Sequence, residues 1–262
     1  MTPAPIPLSH SRRRLLTLGL LALAAAALLT MGATAARTRY LTRGIPSSLP
    51  EPIPLGGARL GVNVYLEDAN EAELRATLAD ITAVGIDTIK QPFHFREEQD
   101  WTPADRIMAA AAAESLTVVP LLDGDPQTAF APPDPASFAA WAGAFAARYG
   151  DQIDAYIIWD EPNLSSHWGG GTVNPSDYAA LLSAAAAAIR AADAGAAIIT
   201  APLAPTAEAG PQNLSETLFL RALYEAGAAD AFDAVALKPY GFDSGPDDRR
   251  VSADTLNFSR AI

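Results

Sequence analysis

Two carboxylates stand side by side at Asp160-Glu161, directly behind the apolar run Tyr156, Ile157, Ile158, Trp159 and directly ahead of Pro162 and Asn163. A carboxyl group held in place can give or take a proton at a reacting atom, and acid/base work is the chemistry this pair suggests. An unbroken run of β-branched and aromatic residues suits a strand covered on both faces. Pro162 cannot donate to a ladder, so the strand must stop there. Glu161 is therefore read as a strand-end carboxylate, at the place where an α/β barrel keeps its chemistry. A strand-end Glu satisfied by backbone amides is the structural alternative. Other chemistries are narrowed by composition. The chain has no cysteine, which removes disulfides, thiolate metal sites and cysteine nucleophiles. Its three histidines, His10, His94 and His167, are far apart and no pair has metal-ligand spacing. No phosphate loop, dinucleotide fingerprint or serine elbow is present. Asp123-Gly124-Asp125 is read as a solvated loop in preference to a cation site.

The elements around this stretch alternate. A first strand is expected over Leu60–Leu66, then a helix opened by Asn70, with Glu71 and Glu73 in its first turn and Gly85 at its end. Ile86–Phe95 is a second strand, followed by a helix from Thr102-Pro103. Leu116–Leu122 is a third strand, and a helix starting at Asp134-Pro135 carries Phe138, Trp141, Phe145 and Tyr149. The stretch around Tyr156 is the fourth strand. A loop with Gly169-Gly170-Gly171 leads to a helix over Pro175–Ala192, a fifth strand over Ala196–Ala201, a helix over Ser215–Gly227, and a sixth strand over Phe232–Leu237. A sixth helix is expected from Ser252. Alanine runs within these helices are ordinary helix-forming sequence.

Six β/α units in strict alternation imply an α/β fold with parallel strands covered by helices. A doubly wound sheet would carry a glycine-rich first turn, and here Glu67-Asp68-Ala69-Asn70 stands in its place. A (β/α)8 TIM-type barrel fits better. Such a barrel takes roughly 250 residues, more than the stretch 59–262 holds, so about six of the eight units are expected, with the last strands lacking.

In a barrel every strand end faces one mouth. Asn63 and Tyr65, Lys90, Phe93 and His94, Asp123 and Asp125, Trp159 to Asn163, and Lys238 and Tyr240 would gather there, with His167 and Trp168 leaning over from a loop. Carboxylates among aromatic faces suit sugars: rings stack on the apolar side of a pyranose while carboxylates and amides bond its hydroxyls. Cleaving a glycosidic bond needs one carboxyl to protonate the leaving oxygen and a second carboxylate opposite.

Trp159-Asp160-Glu161-Pro162-Asn163 resembles the Trp-Asn-Glu-Pro-Asn motif of the retaining clan-A glycoside hydrolases, the cellulase-like and β-xylosidase-like barrels. Lys238-Pro239-Tyr240 is similar to their His-Pro-Tyr, and Lys90-Gln91-Pro92-Phe93 to their Arg-Gln-x-Phe. The likeness covers residues 59–262. It implies hydrolysis of O-glycosidic bonds in a poly- or oligosaccharide, with Glu161 as general acid/base. It also implies a sugar-binding set of Asp160, Asn163, Trp159, Lys238, Tyr240, Lys90, His94 and Trp168, and no metal or other cofactor. Three positions depart from the pattern. Asp160 replaces an Asn that donates to the sugar 2-OH, and an ionised Asp can only accept. Lys238 replaces His, and Lys90 replaces Arg, a point charge in place of a planar fork. The resemblance puts the nucleophile on a seventh strand, beyond the end of this chain. A non-catalytic carbohydrate-binding barrel of an exported or surface glycan system is the alternative that these departures support.

The N-terminus carries its own signal. Arg12-Arg13-Arg14 precedes an uncharged stretch from Leu15 to Ala36, long enough for one membrane span of about 20 residues. Residues 1–36 read as a signal-anchor with the arginines cytoplasmic, or as a cleaved signal ending near Ala33-Thr34-Ala35. Residues 37–58, with Pro46, Pro50, Pro52 and Pro54, read as an extended linker. The body would lie outside the cytoplasm, tethered to the membrane or, if the signal is cleaved, secreted. Net charge is −12, and six arginines precede the first acidic residue, Glu51, so the body is more acidic than the whole. Such a body repels nucleic acid.

Overall fold

The computed structural model describes residues 10–41 and 60–242. Helix α1, His10–Leu41, is 32 residues long, and its stretch His10–Tyr40 is long and apolar enough to cross a membrane. The hydroxyls of Thr30 and Thr34 donate back to the carbonyls of Ala26 and Thr30 at 2.7 and 2.8 Å, so neither needs a partner outside the helix. The helix runs past Ala36 and takes in Arg37 and Arg39; the rest of the expected linker lies outside the described residues, as does the helix expected from Ser252.

The body is one parallel sheet with helices between its strands. The strands are β1 (Gly61–Asn63), β2 (Thr88–His94), β3 (Thr117–Asp123), β4 (Ala155–Ile158) and β5 (Ala197–Ile199), hydrogen-bonded in the order β1-β2-β3-β4-β5. Strand order that follows chain order is the singly wound arrangement of a barrel wall; a doubly wound sheet would reverse direction partway. The register keeps the C-terminal ends level: Asn63 faces Lys90, His94 faces Asp123, and Leu122 faces Ile158.

Three strands are shorter than their sequences suggest: β5 keeps Ala197–Ile199 of the expected Ala196–Ala201, and the other two are cut short for local reasons. After Asn63 the amide of Val64 still reaches Lys90 O at 2.9 Å, but that of Leu66 bonds the side chain of the buried Gln91, which ends the ladder. The expected sixth strand is present only as parallel bridges, Ile199 with Ala234 and Leu203 with Leu237. There the Thr200 hydroxyl takes the amide of Ala236 at 3.2 Å, and Pro202 has no N–H to give.

The helices are α2 (Glu71–Ala83), α3 (Thr102–Ala113), α4 (Pro135–Tyr149), α5 (Pro175–Ala192) and α6 (Glu216–Glu225). Side chains at their starts satisfy the first amides. Asn70 and Glu73 form a reciprocal capping box on α2, while Asp134, Asn174 and Ser215 cap α4, α5 and α6. The alanine-rich faces allow close approach: a methyl group added at Gly143 on α4 would lie 3.2 Å from the Ala188 methyl on α5. Phe138, Trp141, Phe145 and Tyr149 of α4 are buried, and Phe145 meets Phe93 of β2 with ring centroids 4.9 Å apart.

Candidate active site at the strand ends

Beyond Ile158 the chain makes a tight turn. Trp159 has φ +71° and Glu161 φ +46°, left-handed values that cost a non-glycine residue about 1–3 kcal/mol each and persist only when the surroundings fix them. Many bonds fix them here. Trp159 N–H donates to Leu122 O at 2.8 Å, and Glu161 N–H donates to Pro202 O at 3.2 Å. The Tyr178 hydroxyl donates to Ile158 O at 2.9 Å and accepts from Ala201 N–H at 2.7 Å, joining the ends of β4 and β5. The Trp159 indole donates to His167 O at 3.0 Å. Its ring lies so close to Gly124 that a methyl group there would stand 2.5 Å from the ring, which is why the residue after Asp123 is glycine.

This turn delivers Asp160 and Glu161 to a shared cation. Lys238 Nζ lies 2.6 Å from Glu161 Oε1, and 2.9 and 3.1 Å from the two Asp160 oxygens. The three side chains are 15%, 15% and 18% exposed for Lys238, Glu161 and Asp160. Burial pulls the Lys238 ammonium down, but its bonds to Glu161 and Asp160 outweigh that and hold it above the usual lysine range. Lys90 is lowered, chiefly by burial and further by Lys238, against the pull of Asp160, Asp123 and Glu161. On the other side, His167 Nδ1 stands 3.6 Å from Glu161 Oε2, and its ring stacks on Phe130 at 4.8 Å.

Asp123 is a buried residue, not the solvated loop that its sequence context suggests. It is 3% exposed, and Oδ1 accepts from Gly124 N–H at 2.9 Å. Burial pushes its carboxyl up to about 7.

Of the residues expected at the mouth, Lys90, Asp160, Glu161 and Lys238 come together. His94 is engaged by Glu67, with Nδ1 2.6 Å from Oε2 and its amide on Oε1 at 3.3 Å. Tyr240 is 53% exposed and packs on Phe242 with centroids 6.3 Å apart. Three expected sugar contacts are instead core residues. Trp159 and Trp168 are buried edge-to-face, 5.4 Å between centroids. Asn163 is fully buried; its amide nitrogen bonds Ala204 O and Leu214 O, and its oxygen accepts from Ala204 N–H. A polar residue just past a strand end reads the same in sequence whether it faces a ligand or ties down a loop.

Glu67, Phe130 and Asp123 carry more than their sequence reading gave them. Of these, only Asp123 was expected at the mouth, from its place at a strand end. Asp160, Glu161 and His167 bring potential ligand atoms within 4.8 Å of one another. The Lys238 ammonium already occupies the space between the two carboxylates, so we treat the group as an ion-pair network and assign it no metal.

No family model and no curated protein matches the chain by sequence. Among solved structures it is similar to the endo-1,4-beta-mannanase from Rhizomucor miehei, with 12% identity and TM-score 0.51, covering 72% of this chain and 69% of that one. It is also similar to the beta-galactosidase from Marinomonas ef1, with 10% identity and TM-score 0.46 over 70% and 41% of the two chains. The D-psicose 3-epimerase from Clostridium cellulolyticum H10 gives 12% identity and TM-score 0.44 over 72% and 67%. The chain thus spans less than half of the beta-galactosidase. The mannanase likeness shows the fold, a barrel wall of parallel strands, and one fold hosts many chemistries.

Proposed function

We propose that this chain is the barrel of a glycoside hydrolase that acts on an O-linked poly- or oligosaccharide, with Glu161 as general acid/base. The observation that carries the reading is the position of Glu161. It ends β4 on a left-handed turn, at the C-terminal rim of a singly wound wall, with its carboxylate among Asp160, His167 and Lys238. Barrel enzymes keep their chemistry on that rim. Glycosidic cleavage uses a proton donor of this kind and a second carboxylate opposite; we assign the second to chain outside the described residues. Lys90 and the exposed Tyr240 are proposed to meet the sugar, the first through its hydroxyls and the second by stacking. We further propose that α1 anchors the protein in the membrane with the body outside the cytoplasm, which alkali extraction of membranes would test.

The test is Glu161→Gln in the full chain, assayed on a panel of chromogenic aryl glycosides. Loss of hydrolysis in the variant supports the reading, and equal hydrolysis by both forms refutes the assignment. A second reading, a non-catalytic carbohydrate-binding barrel, is favoured by one contact: Lys238 at 2.6 Å already takes the Glu161 oxygen that would serve a leaving group. Glycan binding without hydrolysis in either form would select it.

A further inference from the structure

A cavity of about 270 Å³ opens between the loop after β1, the loop after β2 and helices α3 and α4. Among the described residues its lining includes none of Lys90, Asp160, Glu161 or Lys238. Part of the wall is aromatic. Trp101 packs on Phe145 with ring centroids 6.0 Å apart, and Phe145 lies 6.2 Å from Trp141. Part is polar and held in place. The Glu67 carbonyl accepts from Arg106 Nη2 at 3.2 Å, while its carboxylate takes His94 Nδ1 at 2.6 Å and the His94 amide at 3.3 Å. An ionised carboxylate can only accept, so Nδ1 donates and the neutral ring keeps Nε2 as an acceptor.

Trp141 is the residue in this wall that asks for a ligand. It is 6% exposed, and its buried Nε1 has no hydrogen-bond partner among the described residues. The Trp159 indole, by contrast, donates to His167 O at 3.0 Å. A buried donor left unpaired carries its full desolvation cost and is rare in native proteins. The make-up of the wall then selects what could pair it. Nε1 only donates, so the ligand must bring an acceptor, which an ammonium lacks. The carboxylates of Glu67, Asp68 and Asp100 line the cavity against one guanidinium, that of Arg96, itself 3.3 Å from Asp125. An anion would meet like charge there. A neutral polyhydroxy ring satisfies both conditions: its hydroxyls give and take hydrogen bonds, and its apolar face suits an aromatic wall. Ligand sites run from about 300 Å³ upward, so a cavity of this size takes a single ring.

We propose that this cavity is a second carbohydrate site, separate from the Glu161 mouth, in which one sugar ring packs against Trp101 and a sugar hydroxyl oxygen accepts from Trp141 Nε1–H. It stands whether or not the mouth hydrolyses a glycoside. The experiment uses the full chain in a sugar-free detergent, with its four tryptophans isotopically labelled at the indole nitrogen. Trp141→Phe, which keeps a ring and removes the N–H, assigns the Trp141 signal. Contacts to the Phe145 ring, 6.2 Å away between centroids, assign it independently of how well the variant folds. The methyl β-glycosides of glucose, mannose and galactose are titrated in turn, with choline chloride and sodium acetate as cationic and anionic counterparts. The expected result is a saturable shift of the Trp141 indole signal with at least one glycoside, and none with choline or acetate. Glu161→Gln gives the same titration. Trp141→Phe, followed through the Trp101 signal, binds about 10-fold more weakly, the scale of one hydrogen bond. A Trp141 signal that no glycoside moves, or that choline or acetate moves as strongly, overturns the proposal, as does equal affinity in Trp141→Phe. A shift lost in Glu161→Gln would put the sugar at the mouth and overturn it too. Absence of hydrolysis in wild type and Glu161→Gln alike would sink the glycosidase reading and leave this titration unaffected.

Discussion

Removing the Lys238 ammonium should show whether the mouth is a solvated charge cluster or a desolvated network. In Lys238→Met the stem volume is kept and the charge is lost. The variant leaves Asp160 and Glu161, adjacent and each less than one-fifth exposed, without the cation that now stands 2.6 to 3.1 Å from them. Breaking a buried ion pair by deleting one partner costs about 3–5 kcal/mol, because the remaining charge is uncompensated. Lys90 still faces both carboxylates, so we expect the lower end, about 3 kcal/mol at neutral pH. A surface pair would give only about 0–1 kcal/mol. Equilibrium urea unfolding followed by tryptophan fluorescence measures the difference. Asp160→Asn and the double variant complete a cycle, in which the loss on removing Lys238 should shrink by about 1–3 kcal/mol once Asp160 is neutral. A loss below about 1 kcal/mol in Lys238→Met, or a cycle that is additive, would refute the view of a desolvated network.

Two further outcomes follow from buried polar groups. Asp123 is raised from its ordinary 3.8 to about 7, so the folded state binds its proton more tightly than the unfolded chain does. Its contribution is fully present below pH 3.8 and is lost as pH rises to about 7. At about 1.4 kcal/mol per unit the loss is at most about 4 kcal/mol. Asp123→Asn should therefore lack this decline in pH-dependent urea unfolding, and parallel curves for the two proteins would contradict the buried-acid assignment. Asn163→Ala removes three hydrogen bonds to the Ala204 and Leu214 backbones, leaving buried main-chain groups unpaired. We expect it to cost about 3 kcal/mol or more in the same assay; a near-neutral variant would return Asn163 to the list of ligand-facing residues.

Much of the architecture can be read from patterns that local physics enforces. Helix starts at Asn70, Asp134 and Ser215 are written in capping side chains that the structure uses, and Asn174 caps α5 unread, while Thr102, expected to cap α3, lies inside it and α3 has no side-chain cap. Strand ends are harder to read, because side chains compete with the ladder. Gln91 takes the Leu66 amide and Thr200 takes the Ala236 amide, and nothing in the apolar pattern of either strand announces it. The site divides in the same way. Strand-end position identified Lys90, Glu161 and Lys238 as neighbours, because a parallel register makes neighbours of strand ends. It could not separate Asn163, which points into the protein, from Asp160, which points into the mouth, since both follow the same strand within a turn whose φ angles sequence does not disclose. Strand-end position placed Asp123 at the mouth but did not disclose its burial: an acid before glycine reads as a solvated loop, and the glycine is there to admit the Trp159 ring.

The departures from the glycosidase pattern also look different once their partners are known. Asp160 in place of Asn adds a negative charge, and Lys238 in place of His adds a positive one on a strand position that sequence separates by most of two β/α units. The structure sets them 2.9 Å apart. Asp160 alone would put a second negative charge beside Glu161 in a site where the side chains are mostly withdrawn from water, at a cost of several kcal/mol; Lys238, bonded to both carboxylates, offsets it. Two of the three positions that depart from the resembled pattern thus form one ion pair. The third, Lys90, faces the same carboxylates and keeps the positive charge of the Arg it replaces while giving up the planar fork. The mouth therefore sets the two cations Lys90 and Lys238 against the carboxylates Asp160 and Glu161.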